Sequence, residues 1–348
     1  MPVARFCVVA TVVLAWLVVG PTTLAGALGS ISVVTLPGTP AFAPTGAKTA
    51  QDWAAPDPDV VRFGTSYYAY TTGTTWGNHI GVLRSSAAAS GYHTITGKPY
   101  GSSAFPSIPW TQTVRPWQVN STQNAPGVFG YDGRYIMYYT AQAASGHGGH
   151  YCLSRATARN PAGPFVDRSN APWLCMDASG GVIDPSPYVD RRGHAWLYVK
   201  TYDLVEHGPQ PARIWVMRLS RDGLNRVSSP VTVLSQSSMS SPYETVENPQ
   251  MLQVGNTYVL LFSRGSWNSS NYRQGYAICS GPAGGCHETN HGFLHSYGTV
   301  LGPGGGTMFT DTRGHFYTAY HGWHGAPSCT GDSASCSRML FVARVNFS

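Results

Sequence analysis

The sequence predicts an all-β fold, and within that class a five-bladed β-propeller, on three observations. The first is composition: charged residues are only 11% of the 348, while there are 40 Gly, 25 Pro, 20 Tyr and 10 Trp. Gly and Pro punctuate turns, and Tyr and Trp favour strands, so many short strands are expected and long helices are not. The second is an internal repeat: a residue pair ending in Pro, a few apolar residues, a Gly turn, then a run of aromatic and β-branched residues. The third is its spacing. Successive copies start roughly 55 to 70 residues apart, which leaves room for about four strands per unit, the mark of a propeller blade. A two-sheet sandwich is the competing architecture, but sandwich strands need not repeat.

From the N-terminus, Arg5, the apolar run Phe6 to Gly20, and the small-x-small pattern of Ala25 and Ala27 read as an export signal over 1–27. The run is shorter than the about 20 residues of a membrane span. An uncleaved anchor is therefore the second reading, and no membrane association is expected after cleavage. Residues 28–48, rich in Gly, Pro, Ala and Thr, are expected as a linker into a propeller over 49–348. The copies then read DPDVVRFGTSYYAYTT from Asp57, APGVFGYDGRYIMYYTA from Ala125, DPSPYVDRRGHAWLYVK from Asp184 and ENPQMLQVGNTYVLLFS from Glu247. A weaker fifth, GPGGGTMFTDTRGHFYTAYHGW, starts at Gly302. Each is a strand, a tight turn at Gly64, Gly133, Gly193, Gly255 or Gly314, and a returning strand.

The cysteines agree with export. Cys7 lies in the signal, and the other six fall into local groups that favour Cys152–Cys175, Cys279–Cys286 and Cys329–Cys336. Such bridges staple loops in an oxidising compartment. Free thiols or a metal site are the alternative, but no CxxC spacing appears. A secreted protein is expected. The net charge of +6 is scattered, with no basic run interleaved with aromatics, which argues against a nucleic-acid partner.

Chemistry enters where the copies differ. At the opening position the first, third and fourth carry Asp57, Asp184 and Glu247, while the second has Ala125 and the fifth a Gly-rich stretch. The innermost strands of a propeller converge on the channel mouth, so this register predicts three carboxylates from distant sequence at one place. Only 16 residues are acidic, and only four are Glu: Glu206, Glu244, Glu247 and Glu288. Paired carboxylates do acid–base work on glycosides, and crowding drives their pKa values apart. Turn initiation by Asp-Pro and Glu-Asn-Pro is the bland alternative for any one of the three. Asp59 and Glu244 are rival acids nearby.

The runs PDPDVVRFGTSYYAY, VIDPSPYVDRRGHAWLYV and TVENPQMLQVGNTYVLLFS resemble the three signature segments of family 43 glycoside hydrolases. RATARNPAGPFVD, GSWNSSNYRQGYAICSGPAGGC, and GPGGGTMFTD with YHGW extend the resemblance over most of residues 50–345. It implies a five-bladed propeller acting on arabinose- or xylose-containing polymers with inversion of configuration. Asp57 matches the general base, Asp184 the carboxylate that tunes and orients the acid, and Glu247 the general acid. Inversion implies a base-to-acid separation of roughly 6.5–9.5 Å. His321 matches a central histidine that in some members helps hold calcium or sodium through waters. A structural Ca²⁺ or Na⁺ in the channel is thus expected at most, and no cofactor is required. A lone His in an aromatic strand also fits a satisfied core residue.

One departure stands out. Asn124 occupies a position where the family usually shows Trp, which removes an expected sugar-stacking wall. Trp53, Trp117, Trp267 and Tyr243 flank the signature segments and could stack instead, or be core. Arg264 and Arg273 could reach sugar hydroxyls, or form salt bridges. His147, His150 and His324 are weaker candidates, the first two on a glycine-flanked loop. The substrate-binding set is therefore expected among Trp53, Asn124, Trp267, Arg273 and His321, with a polysaccharide or oligosaccharide partner and a monomeric protein. Two other readings remain: a carbohydrate-binding propeller without catalysis, and another five-bladed enzyme acting on furanosides or fructosyl groups. The latter typically carry Asn or Trp before the first acid, where Ala55-Pro56 stands.

Overall fold

The computed structural model describes residues 29–42, 44, 47, 49–73, 80–95, 118–143, 146–202, 210–325, 329–331, 333 and 335–348, with 118–122 as backbone only. The expected signal (1–27), Trp117 and Glu206 lie outside them. Among the described residues, no helix is long and apolar enough to cross a membrane.

The strands form five antiparallel sheets arranged as the blades of a propeller. β1 (Ile31–Val33) comes first in sequence and belongs to the last blade. Blade one is β2 (Asp59–Phe63), β3 (Ser66–Thr71), β4 (Gly81–Ser85) and β5 (His93–Thr94). Blade two is β6 (Gln118–Tyr131), β7 (Arg134–Ala143) and β8 (Tyr151–Ala158), three strands among the described residues. Blade three is β9 (Val182–Val189), β10 (Ala195–Thr201), β11 (Arg213–Arg218) and β12 (Val231–Ser235). Blade four is β13 (Val246–Val254), β14 (Thr257–Arg264), β15 (Arg273–Cys279) and β16 (Cys286–Leu294). Blade five is β17 (Leu301–Gly304), β18 (Met308–Thr310), β19 (Phe316–Gly325) and β20 (Cys336–Phe347), with β1 as its outer strand.

Part of the expected linker is therefore structural. Ile31 to Val33 pair with Phe347 to Val345, and the propeller closes by joining its two ends in one sheet. The composition of 28–48 hid this, because a three-residue strand leaves almost no pattern.

The aromatic runs are explained by burial on both faces. Strand side chains alternate, and a blade has a neighbour on each side. Tyr67 packs toward blade five with Phe309 and Leu340, while Tyr68 packs toward blade two with Val128 and Met137. Tyr138 and Tyr139 split in the same way between blades three and one. Among the described residues such cores lie between every pair of neighbouring blades, with two between blades four and five. The anticipated turns hold: Gly64, Gly133, Gly193, Gly255 and Gly314 all have φ between 58° and 81°.

The first strand of each blade carries a kink at its opening. Asp57, Ala125, Asp184, Asn248 and Gly305 have φ of 50°, 43°, 56°, 50° and 60°. A non-glycine residue held there costs on the order of 1–2 kcal/mol. Register shifts accompany four of these positions, at Asn124/Gly127, Tyr198/Lys200, Glu247/Gln250 and Leu301/Gly304. This corrects the sequence register. The recurring strained residue of blade four is Asn248, directly before Pro249, and Glu247 stands one position earlier. Blade five has glycine because a Cβ on Gly305 would lie 2.3 Å from the His321 ring and 2.9 Å from Asp57 Oδ1.

Candidate active site

The kinks carry side chains from several blades to one mouth. Asp57, Asp184 and Glu247 all line a pocket of about 220 Å³, together with Thr72, Asn124, Thr140, Tyr151, Tyr202, Trp267, Tyr272 and Arg338. A second ring comes from the returning strands. The residue before each kink faces Thr72, Thr140, Lys200, Ser263 or His321 across its blade. Three of these accept the backbone N–H of the next blade's kink residue. Thr72 Oγ1 takes that of Ala125 (2.8 Å), Ser263 Oγ that of Gly305 (2.8 Å), and His321 Nδ1 that of Asp57 (3.0 Å). Strained backbone is thus held by side-chain acceptors of the adjacent blade.

The acids have opposed environments. Burial pushes the Asp57 carboxyl up, but the Arg338 guanidinium (Nη1–Oδ1 3.3 Å), foremost, and the Thr72 hydroxyl (2.6 Å) are among the groups that hold Asp57 below the usual carboxylate range. Asp184 goes the other way: burial first, then the Glu247 charge, push it well above that range, against the pull of Lys200 and the Asn248 N–H. Glu247 is buried and accepts from Lys200 Nζ on Oε2 (2.9 Å) and from the Tyr272 hydroxyl on Oε1 (2.6 Å). One carboxylate held ionised, facing a buried pair of acids that share a cation, is a division of labour suited to proton transfer.

The family model for glycosyl hydrolases family 43 matches residues 51–348. The chain belongs to glycosyl hydrolase family 43. This family 43 glycoside hydrolase also resembles solved structures at the level of fold. A thermostable family-43 glycoside hydrolase shares 20% identity at a TM-score of 0.63, over 91% of this chain and 93% of that one. The endo-arabinase of Bacteroides thetaiotaomicron VPI-5482 shares 20% at 0.59, over 84% and 95%. The endo-1,4-beta-xylanase of the same organism shares 20% at 0.61, over 85% and 99%. No curated protein sequence matches the chain.

The hydrolase brings some sequence candidates together and leaves others apart. Asn124 and Trp267 line the pocket, and Trp267 is 41% exposed. His321 is fully buried beside it and stacks on Tyr272 at 5.6 Å. Trp53, in a short 3₁₀ turn, packs against the core around Leu294 and Met339. Arg273 lies outside the lining, its guanidinium spanning both Glu244 oxygens, so the salt-bridge alternative describes it. Arg264 is fully buried against Glu288 and Glu244. Tyr243 is 88% exposed and lines no part of the pocket. His147 and His150 contact Asp177, and His324 contacts Thr299. The rival acids fall away: Glu244 is tied to the two arginines. Asp59 accepts the Val128 N–H (2.6 Å) and faces a different cavity, lined by the continuation of all five inner strands. Burial raises Asp59 to about 7. The three disulfides form as grouped in the sequence.

Lys200, Tyr272, Arg338, Tyr151 and Tyr202 were missed. Lys200 is the last residue of the third repeat copy and lies near the end of its returning strand, so the repeat itself held a signal for it. Arg338 has none, standing 281 residues from Asp57. His321 bears on the expected ion. Its Nδ1 accepts the Asp57 N–H, so a neutral ring carries its proton on Nε2, a buried atom with no partner among the described residues. Burial lowers the His321 pKa, which favours the neutral ring. A protonated Nε2 fits a water, and hence water-mediated ion binding, but not direct ligation of a cation.

Proposed function

We propose that this family 43 glycoside hydrolase is an exported enzyme that cleaves arabinose- or xylose-containing polysaccharide with inversion. The observation that carries the reading is the trio in one pocket, with Asp57 held ionised across from the buried pair Asp184 and Glu247, where crowding pushes Asp184 well above the usual carboxylate range. In this scheme Asp57 removes a proton from water as it attacks the anomeric carbon. Glu247 gives a proton to the departing glycosidic oxygen, and the C–O bonding pair leaves with that oxygen. Asp184 and Glu247 are crowded together, and negative charge on Asp184 favours the proton on Glu247, so that Glu247 can enter the reaction protonated; the contact of Asp184 with the Asn248 N–H fixes it (2.8 Å). Tyr272 and Lys200 donate to the carboxylate that remains.

Sugar rings would meet an aromatic border. Trp267 carries Arg338 against its face at 4.6 Å, and Tyr151 stacks on Tyr202 at 5.7 Å on the other side of the mouth. Tyr151 and Tyr202 take the place of the wall lost at Asn124. The water-mediated calcium or sodium remains a proposal on His321, supplying charge in the channel, and no step above is routed through it. Export is supported by the N-terminal apolar run and the three disulfides. The protein is proposed to act as a monomer.

A non-catalytic sugar-binding propeller would have no use for acids whose surroundings push them in opposite directions. Activity on arabinan, arabinoxylan, xylan and nitrophenyl pentosides separates the readings. The parent should release reducing sugar from at least one, and Asp57→Asn and Glu247→Gln should each lose about 10²–10⁴-fold while still binding it. Undiminished turnover by either variant would remove that residue from the scheme.

A further inference from the structure

Lys200 breaks the rule of its ring. At the fivefold-related position on the returning strands stand Thr72, Thr140, Ser263 and His321, side chains able to accept a hydrogen bond, and three of them accept the N–H of the next kink. An ammonium can only donate. In blade three the acceptor role has passed elsewhere, since the Asn248 N–H goes to Asp184 Oδ2 (2.8 Å). Lys200 Nζ instead reaches Glu247 Oε2 at 2.9 Å and lies 5.7 Å from the Tyr202 ring. Its side chain is fully buried. Burying an ammonium is costly without a strong partner, and architecture did not demand one here, because hydroxyls serve the same position in three other blades.

We infer that Lys200 is a positioning residue for leaving-group departure: its ammonium stabilises the carboxylate that forms on Glu247 as the proton moves to the glycosidic oxygen. The inference rests on the reading of Glu247 as proton donor. The proton travels from Glu247 to the leaving oxygen, the bonding pair leaves with that oxygen, and the new Glu247 charge is formed against a fixed cation in a water-poor site. Such an interaction strengthens along the reaction, and that is what accelerates it. The other groups around Glu247 are Asp184 on β9, Tyr272 before β15, His321 on β19, and Asp57 with Arg338 across the pocket. Of these, Arg338 brings positive charge but is engaged with Asp57, which leaves Lys200 as the cation on Glu247 among the described residues.

The test compares leaving groups. Pentosides of 2,4-dinitrophenol depart with little protonation, whereas methyl pentosides and polymer need a proton. Lys200→Met keeps the bulk without charge, Lys200→Thr restores the acceptor found in other blades, and Lys200→Arg keeps charge. Glu247→Ala serves as reference. The expected result is a loss of kcat of about tenfold or more for Lys200→Met and Lys200→Thr on poor leaving groups. Their loss on the dinitrophenyl substrate should be much smaller, and Lys200→Arg should recover part of the difference. An equal loss on both substrate types in Lys200→Met and Lys200→Thr, with Glu247→Ala still showing the leaving-group contrast, overturns the role of Lys200 alone. If Glu247→Ala shows no contrast either, the assignment of Glu247 as donor fails first.

Discussion

In the proposed scheme Asp57 would act as a base only while ionised, and Arg338 is the largest of the groups that keep it so against burial. The sign of a test follows. Activity depending on ionised Asp57 is present above its pKa and lost as pH falls through it. Replacing Arg338 by Met removes the main lowering influence, so the acid limb of the kcat/KM profile should move to higher pH, while Arg338→Lys should move it less. An acid limb unmoved in Arg338→Met would separate Asp57 from that limb. Residues of this kind show what was legible and what was not. Asp57, Asp184 and Glu247 could be found because each opens a repeat copy. A register anchored on the acids puts Glu247 one residue off, because Pro249 follows Asn248 and not Glu247. The Pro register leads to Asn248, whose φ of 50° matches the other kinks. Arg338 and Tyr272 contact the acids only through tertiary structure, and no spacing in the chain encodes that.

The hairpin is the element that the sequence announces best. A Gly turn and a doubly buried aromatic strand recur five times, and each forms as expected. The closing strand is announced least. Ile31 to Val33 is too short to show alternation, yet Ile31 is 4% exposed and packs with Val259, Leu261 and Tyr276 of blade four. Its pairing with the C-terminal strand holds the ring shut at blade five. Ile31→Ala should therefore cost about 2–4 kcal/mol, seen as a lower denaturation midpoint. A change under about 0.5 kcal/mol, the size of an ordinary surface substitution, would mean that β1 does not carry closure. The kinks are the second element-level device. They take the first residues of each inner strand out of regular pairing, and so turn side chains from different blades into one pocket.

For the whole molecule, radial symmetry converts sequence distance into proximity. Five blades of similar build leave one channel mouth, and evolution of that mouth needs only differences between copies: acids in blades one, three and four, a lysine in blade three, a glycine in blade five where His321 fills the space. The family and the fold could both be read from the repeat and its signature runs. The pocket's aromatic border could not, since Tyr151 opens β8 of blade two, Tyr202 follows β10 of blade three, and they meet only when the two blades pack. The roles given to the acids require water to attack directly from the Asp57 side while Glu247 protonates the opposite oxygen. Proton NMR of the sugar first released, recorded before mutarotation, reads that geometry directly. The account predicts an anomer opposite to that of the bond cleaved, and release of the same anomer would contradict it.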